Sequence, residues 1–257
     1  MKKSAAQKRN NRRRRRRRGS GVFVTLLCIV IIAAAVLTAV TIFFKIRTVT
    51  VTGESRYSEA EIVAASGIAS GQNTFLLNKF AAINRIFSAC PYLDEIVMHR
   101  RLPDEIEIVV TECVPVAVIQ NGESYYIIDE KCKLLEETDV TGAQPYCKIV
   151  GVALQDPEIG KTAIFSEPEK EKPLQIMLNT AQKSDILNKI GEINLERVFE
   201  IRLSYTERFS VYLGTVEELD KKIRFLDVCI EKLGTADRGV IDLSDPQVAR
   251  FRPYTNQ

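Results

Sequence analysis

Few residues in this chain have the types and spacing that chemistry requires. The single histidine, His99, sits in a stretch that reads as a strand, so neither a His-containing triad nor His-Glu-x-x-His zinc chemistry can be assembled around it. No serine is followed three residues later by lysine, which closes the serine acyl-transferase route of penicillin-binding enzymes. Gly160-Lys161-Thr162 has the ending of a phosphate loop, but the first glycine of that motif would fall at Gln155, where a side chain would keep the backbone from cradling phosphates. Two acid pairs, Glu217 with Glu218 and Asp242 with Asp245, have the residue types of a glycosidase, which needs only two carboxylates. The first pair stands at the start of a helix-like segment, where acids favour the macrodipole, and the second lies near a turn. Cysteine gives no framework either. Cys28 lies in an apolar run, and Cys90, Cys113, Cys132, Cys147 and Cys229 contain neither a Cys-x-x-Cys pair nor finger-like spacing, so they read as small buried hydrophobes. The expectation is a protein without catalytic, cofactor-binding or metal-binding residues.

Charge is distributed very unevenly. Residues 1–18 hold eleven Lys or Arg, including the run Arg12, Arg13, Arg14, Arg15, Arg16, Arg17 and Arg18, and no acid. That leaves 25 basic residues against 33 acids in the remainder, a net of −8. Val22 to Phe44 follows without a charge, and a helix rising about 1.5 Å per residue needs about 20 apolar residues to cross a bilayer. A signal peptide would have a shorter apolar core and a small-residue site behind it. Here Ala33-Ala34-Ala35 is in mid-run, so an uncleaved anchor is expected. Lys and Arg beside a span stay in the cytoplasm, which predicts a type II orientation with the C-terminal mass outside. The tail is expected to touch membrane lipid, and neither nucleic acid nor a small-molecule substrate is expected as a partner.

The elements beyond the span must therefore present a surface. Ile46, Val49 and Val51, closed by Gly53, read as a strand. Ser58-Glu59-Ala60-Glu61 is a capping box opening a helix that stops at Gly67. Phe80, Ile83, Phe87 and Cys90 repeat at helical spacing until Pro91. The period then becomes two, with Ile96, Met98 and Leu102 on one face, a turn at Pro103-Asp104, and Ile106, Ile108 and Val110 alternating after it. The order strand, helix, helix, strand, strand predicts a three-stranded sheet covered on one face by two helices. Strand-like segments continue at 116–119, 125–128, 134–135 and 148–152, and a helix is expected from Leu174 to about Ile190. A hairpin is expected from Val198–Leu203 to Phe209–Leu213 around 205–208. Thr215-Val216-Glu217-Glu218 reads as a second capping box, opening a helix with Val216, Leu219, Ile223, Leu226, Ile230 and Leu233 inward, before a last strand at Arg238–Leu243. The class is α+β, and such sheets can bind by accepting a partner strand at a free edge.

One ordered set of motifs resembles a known family. Pro91-Tyr92-Leu93, then His99-Arg100-Arg101-Leu102-Pro103-Asp104, then Glu112-Cys113-Val114-Pro115-Val116-Ala117 is similar to the signature of the bacterial division proteins FtsQ and DivIB, with Ile46, Val49, Val51 and Gly53 matching their first strand. The resemblance implies a basic cytoplasmic tail at 1–21, a transmembrane helix at 22–44, a polypeptide-transport-associated (POTRA) domain at 45–115, a β-domain with flanking helices at 116–247 and a C-terminal tail at 248–257. It further implies a non-catalytic scaffold at the division septum. Such a scaffold binds FtsL-type and DivIC/FtsB-type single-span partners and helps regulate septal peptidoglycan synthesis. In that family the DivIC-type partner adds to an edge that maps here onto Val240 to Phe251, with Ile241, Leu243, Val248 and Phe251 as contacts. Ile241 and Leu243 could equally face the core. The alternatives are a POTRA-bearing transport or secretion component, which should show a repeated unit or barrel, and an envelope hydrolase, which needs a converging acid pair.

Overall fold

The computed structural model describes residues 4–254 and, in the first helix, side chains from Gly21 on. The side chains of Arg12–Arg18 therefore lie outside the described residues. Helix α1 (Ser4–Phe43) contains the apolar segment Gly21–Phe43, long enough to cross a membrane and without buried residues.

The first globular unit is a βααββ arrangement of β1 (Thr48–Thr52), α2 (Glu59–Ser66), α3 (Lys79–Ala89), β2 (Leu93–Arg101) and β3 (Glu105–Glu112). The sheet order is β1-β3-β2, with β1 parallel and β2 antiparallel to β3. The capping box forms: the Ser58 hydroxyl accepts from the Glu61 amide, Glu61 accepts from the Ser58 amide, and Gly67 closes α2 in the left-handed region. Gly53 is obligatory, since φ is +118° and a Cβ would stand 2.0 Å from the Val110 carbonyl oxygen. The core joins Ile62, Ala82, Ile86 and Cys90 from the helical layer to Ile96, Met98, Ile106, Ile108 and Val110. Phe80 and Leu102, expected inward from their spacing, are instead exposed, because Ala82 and Ile86 set the inward stripe of α3 and Leu102 lies past the end of β2.

The second unit begins with β4 (Ala117–Asn121), β5 (Ser124–Ile128), β6 (Leu134–Thr138), the single turn α4 (Val140–Ala143) and β7 (Cys147–Val150). It continues with α5 (Glu171–Lys183), β8 (Ile190–Asn194), β9 (Ile201–Tyr205), β10 (Phe209–Gly214), α6 (Leu219–Lys232), β11 (Gly239–Asp242) and β12 (Arg250–Pro253). All belong to one nine-stranded sheet, ordered β12-β11-β10-β9-β8-β7-β4-β5-β6. Helices α5 and α6 cover one face through Leu174, Met177, Leu178, Leu219, Ile223 and Leu226. The opposite face is covered only at the β4–β6 end, where Val118, Ile127 and Leu135 meet Tyr92 and Tyr57 of the first unit.

Three expectations need correction. The helix from Leu174 stops at Lys183, and Asp185 takes φ +53° so that the chain turns into β8, a strand the helical reading of 184–190 concealed. The Thr215–Glu218 box does not form: Glu218 takes φ +51° with no side-chain cap, and α6 starts at Leu219. The residues assigned to a tail at 248–257 include β12, the outermost strand of the sheet, so the boundary at 247 cuts off a structural edge.

Candidate functional site

The end of the large sheet formed by β9–β12 is built from tight local chemistry. Strands β9 and β10 are joined through Thr206 and Glu207, both left-handed at φ +51° and +57°, with the Arg208 amide donating to the Tyr205 carbonyl. Three residues, 206–208, thus separate the paired Tyr205 and Phe209, with the left-handed pair at the centre of the turn. The parallel pair β10–β11 needs a crossover, and α6 supplies it. Its inward stripe contains Lys222, 2% exposed, whose Nζ donates to the carbonyls of Leu213 and Thr215 at 2.8 Å each. Burial lowers the lysine's pKa, with Glu217 and Glu218 opposing that shift. The ammonium clamps the start of the crossover onto the end of β10.

The turn from β11 to β12 consumes one of the two acid pairs. Asp242 accepts from the Ser244 amide and hydroxyl at 3.0 and 2.7 Å, and Asp245 accepts from the Gln247 amide at 2.9 Å. Partial burial works against the Asp242 charge, but the Ser244 hydrogen bonds and then Arg250 and Arg252 outweigh it and hold its pKa below the usual range. In the other pair, Glu218 contacts Lys221 and sits at the entrance to α6. Both pairs are thus placed at turns and a helix start.

The four residues expected as contacts separate into two kinds. Ile241 and Leu243 are 0% and 1% exposed and belong to the core, so their side chains support the edge from beneath. Val248 is 42% exposed, and Phe251 is half-buried, its ring meeting Phe209 edge-on at 6.2 Å. Gly239 makes room for that ring: a Cβ there would stand 2.7 Å from it and 2.2 Å from the Arg252 carbonyl oxygen. Strand β11 is not itself the edge, because β12 pairs with it through Gly239–Pro253, Val240–Arg252, Ile241–Phe251 and Asp242–Arg250.

The register decides which backbone groups are free. The Tyr254 amide donates to the Arg238 carbonyl at 3.0 Å, and hydrogen-bonded pairs alternate along an antiparallel ladder. Arg252 and Arg250 therefore point their backbone groups at β11, while the amide and carbonyl of Phe251 and the carbonyl of Pro253 face outward. Pro253 loses no ladder bond there, as an edge proline should not. Across the uncovered sheet face the register aligns Arg202, Tyr212, Asp242 and Arg250 in one row, with the Arg202 guanidinium 5.5 Å from the Tyr212 ring centre. The sequence reading missed β12 and this row. The alternation in Arg250-Phe251-Arg252-Pro253, ended by proline, is the edge-strand signal it could have used.

A second cluster lies where the two units meet. Asp94, Cys113 and Asp129 bring potential ligand atoms within 4.8 Å of one another. Those groups are already engaged, since Asp129 accepts from the Lys131 and Lys133 amides at 2.9 and 2.8 Å and the Lys131 ammonium lies 2.6 Å from Asp94. A cation added there would face that ammonium, so the cluster reads as a joint between units. His99 is exposed on β2 opposite Glu107.

Comparison with known proteins agrees with this architecture. A family model described as "POTRA domain, FtsQ-type" matches residues 44–112. The cell division protein DivIB of Clostridium tetani is 26% identical over 205 residues, covering 79% of this chain and 77% of the relative. DivIB of Clostridium acetobutylicum is 27% identical over 203 residues, covering 79% and 80%. The cell division protein FtsQ of Caulobacter vibrioides is 26% identical over 212 residues, covering 82% and 65%. An N-terminal apolar helix, an FtsQ-type POTRA domain at 44–112 and a β-rich region thus stand in one chain, which over about four fifths of its length is similar to DivIB and FtsQ cell division proteins.

Proposed function

We propose that this protein is a non-catalytic scaffold of the division machinery. It crosses the membrane once, with residues 1–21 cytoplasmic and the POTRA domain (45–115) and β-domain outside, and it works at the septum. There it holds FtsL-type and DivIC/FtsB-type single-span partners, and so helps regulate septal peptidoglycan synthesis. The partner strand adds to β12, accepting from the Phe251 amide and donating to the Phe251 and Pro253 carbonyls. The side chains of Val248 and Phe251, with Arg250 and Arg252, flank it, and Ile241 and Leu243 hold the edge in place from the core.

The observation that carries this reading is the outer side of β12, unpaired among the described residues, where the Phe251 amide and the Phe251 and Pro253 carbonyls face outward and strand addition satisfies them without any polar side-chain signature. The engagement of Asp242 and Asp245 in turn hydrogen bonds supports a non-catalytic role. The test is co-purification of the full chain with both partners, comparing wild type, Phe251→Leu and Phe251→Pro. Phe251→Leu keeps the outward amide and should retain capture. Phe251→Pro removes that amide and should reduce capture by about tenfold or more, the equivalent of about 1.4 kcal/mol. Equal capture by the two variants, with both folded by circular dichroism, refutes strand addition at β12.

A further inference from the structure

The large hydrophobic side chains exposed on the POTRA domain are not scattered. Among the described residues of 44–112 they are Phe75, Leu76, Phe80 and Leu102, 47%, 81%, 80% and 57% exposed. All four lie at the end of the domain nearest the span. Strand β1 leaves the span and runs parallel to β3, so the entry to β3 and the β2–β3 turn carrying Leu102 share the membrane end. The loop 71–78 is fastened to the foot of α1, and α3 starts directly after it with Phe80 in its first turn.

The fastening is specific. The Asn73 side-chain amide donates to the Val40 carbonyl at 3.0 Å, a second hydrogen bond to a carbonyl in the last turn of the apolar segment that also accepts from the Phe44 amide at 3.3 Å. The Thr74 amide donates to the Phe44 carbonyl, the Ile46 amide to Gln72 and the Gly71 amide to Ile46, each at 2.8 Å. Phe75 meets Phe44 edge-on at 4.9 Å. Arg100 closes the loop from the other side through the carbonyls of Thr74 and Leu77. Because Val40 belongs to the apolar segment itself, a residue bonded to it stands at the level where the helix leaves the hydrocarbon. Leu76 and Phe80 are held at that level with their side chains outward.

Charge around the tip matches an anionic surface. No Asp or Glu occurs from Ile62 to Leu93, while Lys79 and Arg85 lie within that stretch. Lys45, Arg47, Arg100 and Arg101 are exposed beside it; of the nearby acids, Asp104 is paired with Arg47 at 3.5 Å, Glu107 with Arg101 at 2.9 Å, and Glu105 accepts from the Thr50 hydroxyl at 2.9 Å, which leaves Lys45, Lys79, Arg85 and Arg100 without an acid partner among the described residues. Aromatic and apolar side chains ringed by Lys and Arg are the composition that binds at the headgroup boundary of anionic bilayers.

We propose that the tip formed by Phe75, Leu76 and Phe80 seats in the outer membrane–water interface, so that the POTRA domain rests on an anionic lipid surface beside its own span. The proposal rests on the reading of Gly21–Phe43 as a membrane span and is independent of partner binding at β12. The chain contains no tryptophan, so a single introduced one reports alone. Full-length Leu76→Trp and Phe80→Trp are reconstituted into phosphatidylcholine–phosphatidylglycerol vesicles and compared with Phe199→Trp, whose site is 74% exposed in the β-domain. Both tip variants should emit to the blue of Phe199→Trp and be quenched at least about twofold by lipids brominated near the top of the acyl chain, as expected for a depth of about 5–10 Å. Water-like emission and no quenching in both tip variants overturn the proposal. A blue shift without quenching also overturns it, because protein, such as a second copy of this chain, would then cover the tip. Flotation of all three variants with the vesicles in alkaline carbonate reads the span separately; vesicles that float with an unquenched tip defeat the tip alone, and loss of flotation defeats the span reading.

Discussion

Three buried thiols should make this protein lose stability in mild alkali by a predictable amount. Cys113, Cys132 and Cys147 are 3%, 0% and 4% exposed, and burial pushes each thiol up to about 12. In the unfolded chain a thiol titrates near ~8.5. With the folded pKa raised above the unfolded one, each thiol's contribution is fully present below about 8.5 and is lost as pH rises toward about 12. Between pH 7.5 and 9.5 the unfolded chain releases about one proton per thiol that the folded chain keeps, which costs about 1.4 kcal/mol each and about 4 kcal/mol together. Lys222 and Lys79, with pKa values lowered by burial, change stability in the opposite direction, and Cys90 and Cys229, raised by burial, act in the same direction as the three thiols. The assay is urea unfolding of the chain in detergent micelles under a reducing agent, followed by circular dichroism. With a slope of about 2 kcal/mol per molar urea, the midpoint should fall by roughly 2 M between the two pH values. A variant with all three cysteines changed to alanine should start lower, through lost packing, and show much less pH dependence. Equal pH dependence in wild type and that variant refutes the reasoning.

Other substitutions test the placement of individual side chains. Leu243→Ala should cost about 3 kcal/mol in urea unfolding, as a fully buried leucine does, whereas Val248→Asp on the exposed turn should change stability by less than about 0.5 kcal/mol. Lys222→Met should cost about 2–4 kcal/mol by the same measurement, because it strands the Leu213 and Thr215 carbonyls that the ammonium holds. Thr74→Val should raise stability by about 1 kcal/mol, since the buried Thr74 hydroxyl has no hydrogen-bond partner. Ser58→Ala should lower it by about 1 kcal/mol through loss of the capping box.

The POTRA domain was legible in the sequence because its signals are local. A capping box, a left-handed glycine stop and strict alternation at Ile106, Ile108 and Val110 each act within a few residues, and each formed as read. The β-domain hid two strands for different reasons. Ile190–Asn194 is only five residues long and follows a helix whose spacing runs on past its true end. Arg250–Pro253 is half charged because one of its faces meets solvent and its outer side pairs with no other strand among the described residues, so it lacks the apolar density that marks a strand. Lys222 occupies a helical position that reads as surface, and only the carbonyls of Leu213 and Thr215, brought over it by the fold, make it a core residue. Of the two placements open to Ile241 and Leu243, edge contact or core, burial shows the core: they alternate as a strand should, but alternation does not tell which face meets a helix.

The joint between the two units fixes how the large sheet, with its β12 edge, stands on the first unit. Its ion pair, Lys131 with Asp94, is partly solvated and contributes less than about 1 kcal/mol. The apolar layer of Tyr92, Cys113, Val118, Ile127 and Leu135, with Ala143 of α4, contributes more, since each of these side chains is under a tenth exposed. Tyr92 ties the layer together: Arg56 stacks 3.5 Å over its ring and its hydroxyl donates to Glu136 at 2.7 Å. Burial and the hydrogen bond to Glu136 both raise its pKa, so it remains a neutral donor at physiological pH. If the tip of the POTRA domain rests on lipid, this joint transmits that fixed point to the large sheet. A partner strand anchored in the same membrane then meets an edge at a defined height, and the selectivity of pairing includes the length of chain between the partner's span and its strand. Weakening the layer with Tyr92→Ala should leave the β12 surface intact and still reduce capture of membrane-anchored partners, while capture of the same partner segment free in solution should be unchanged.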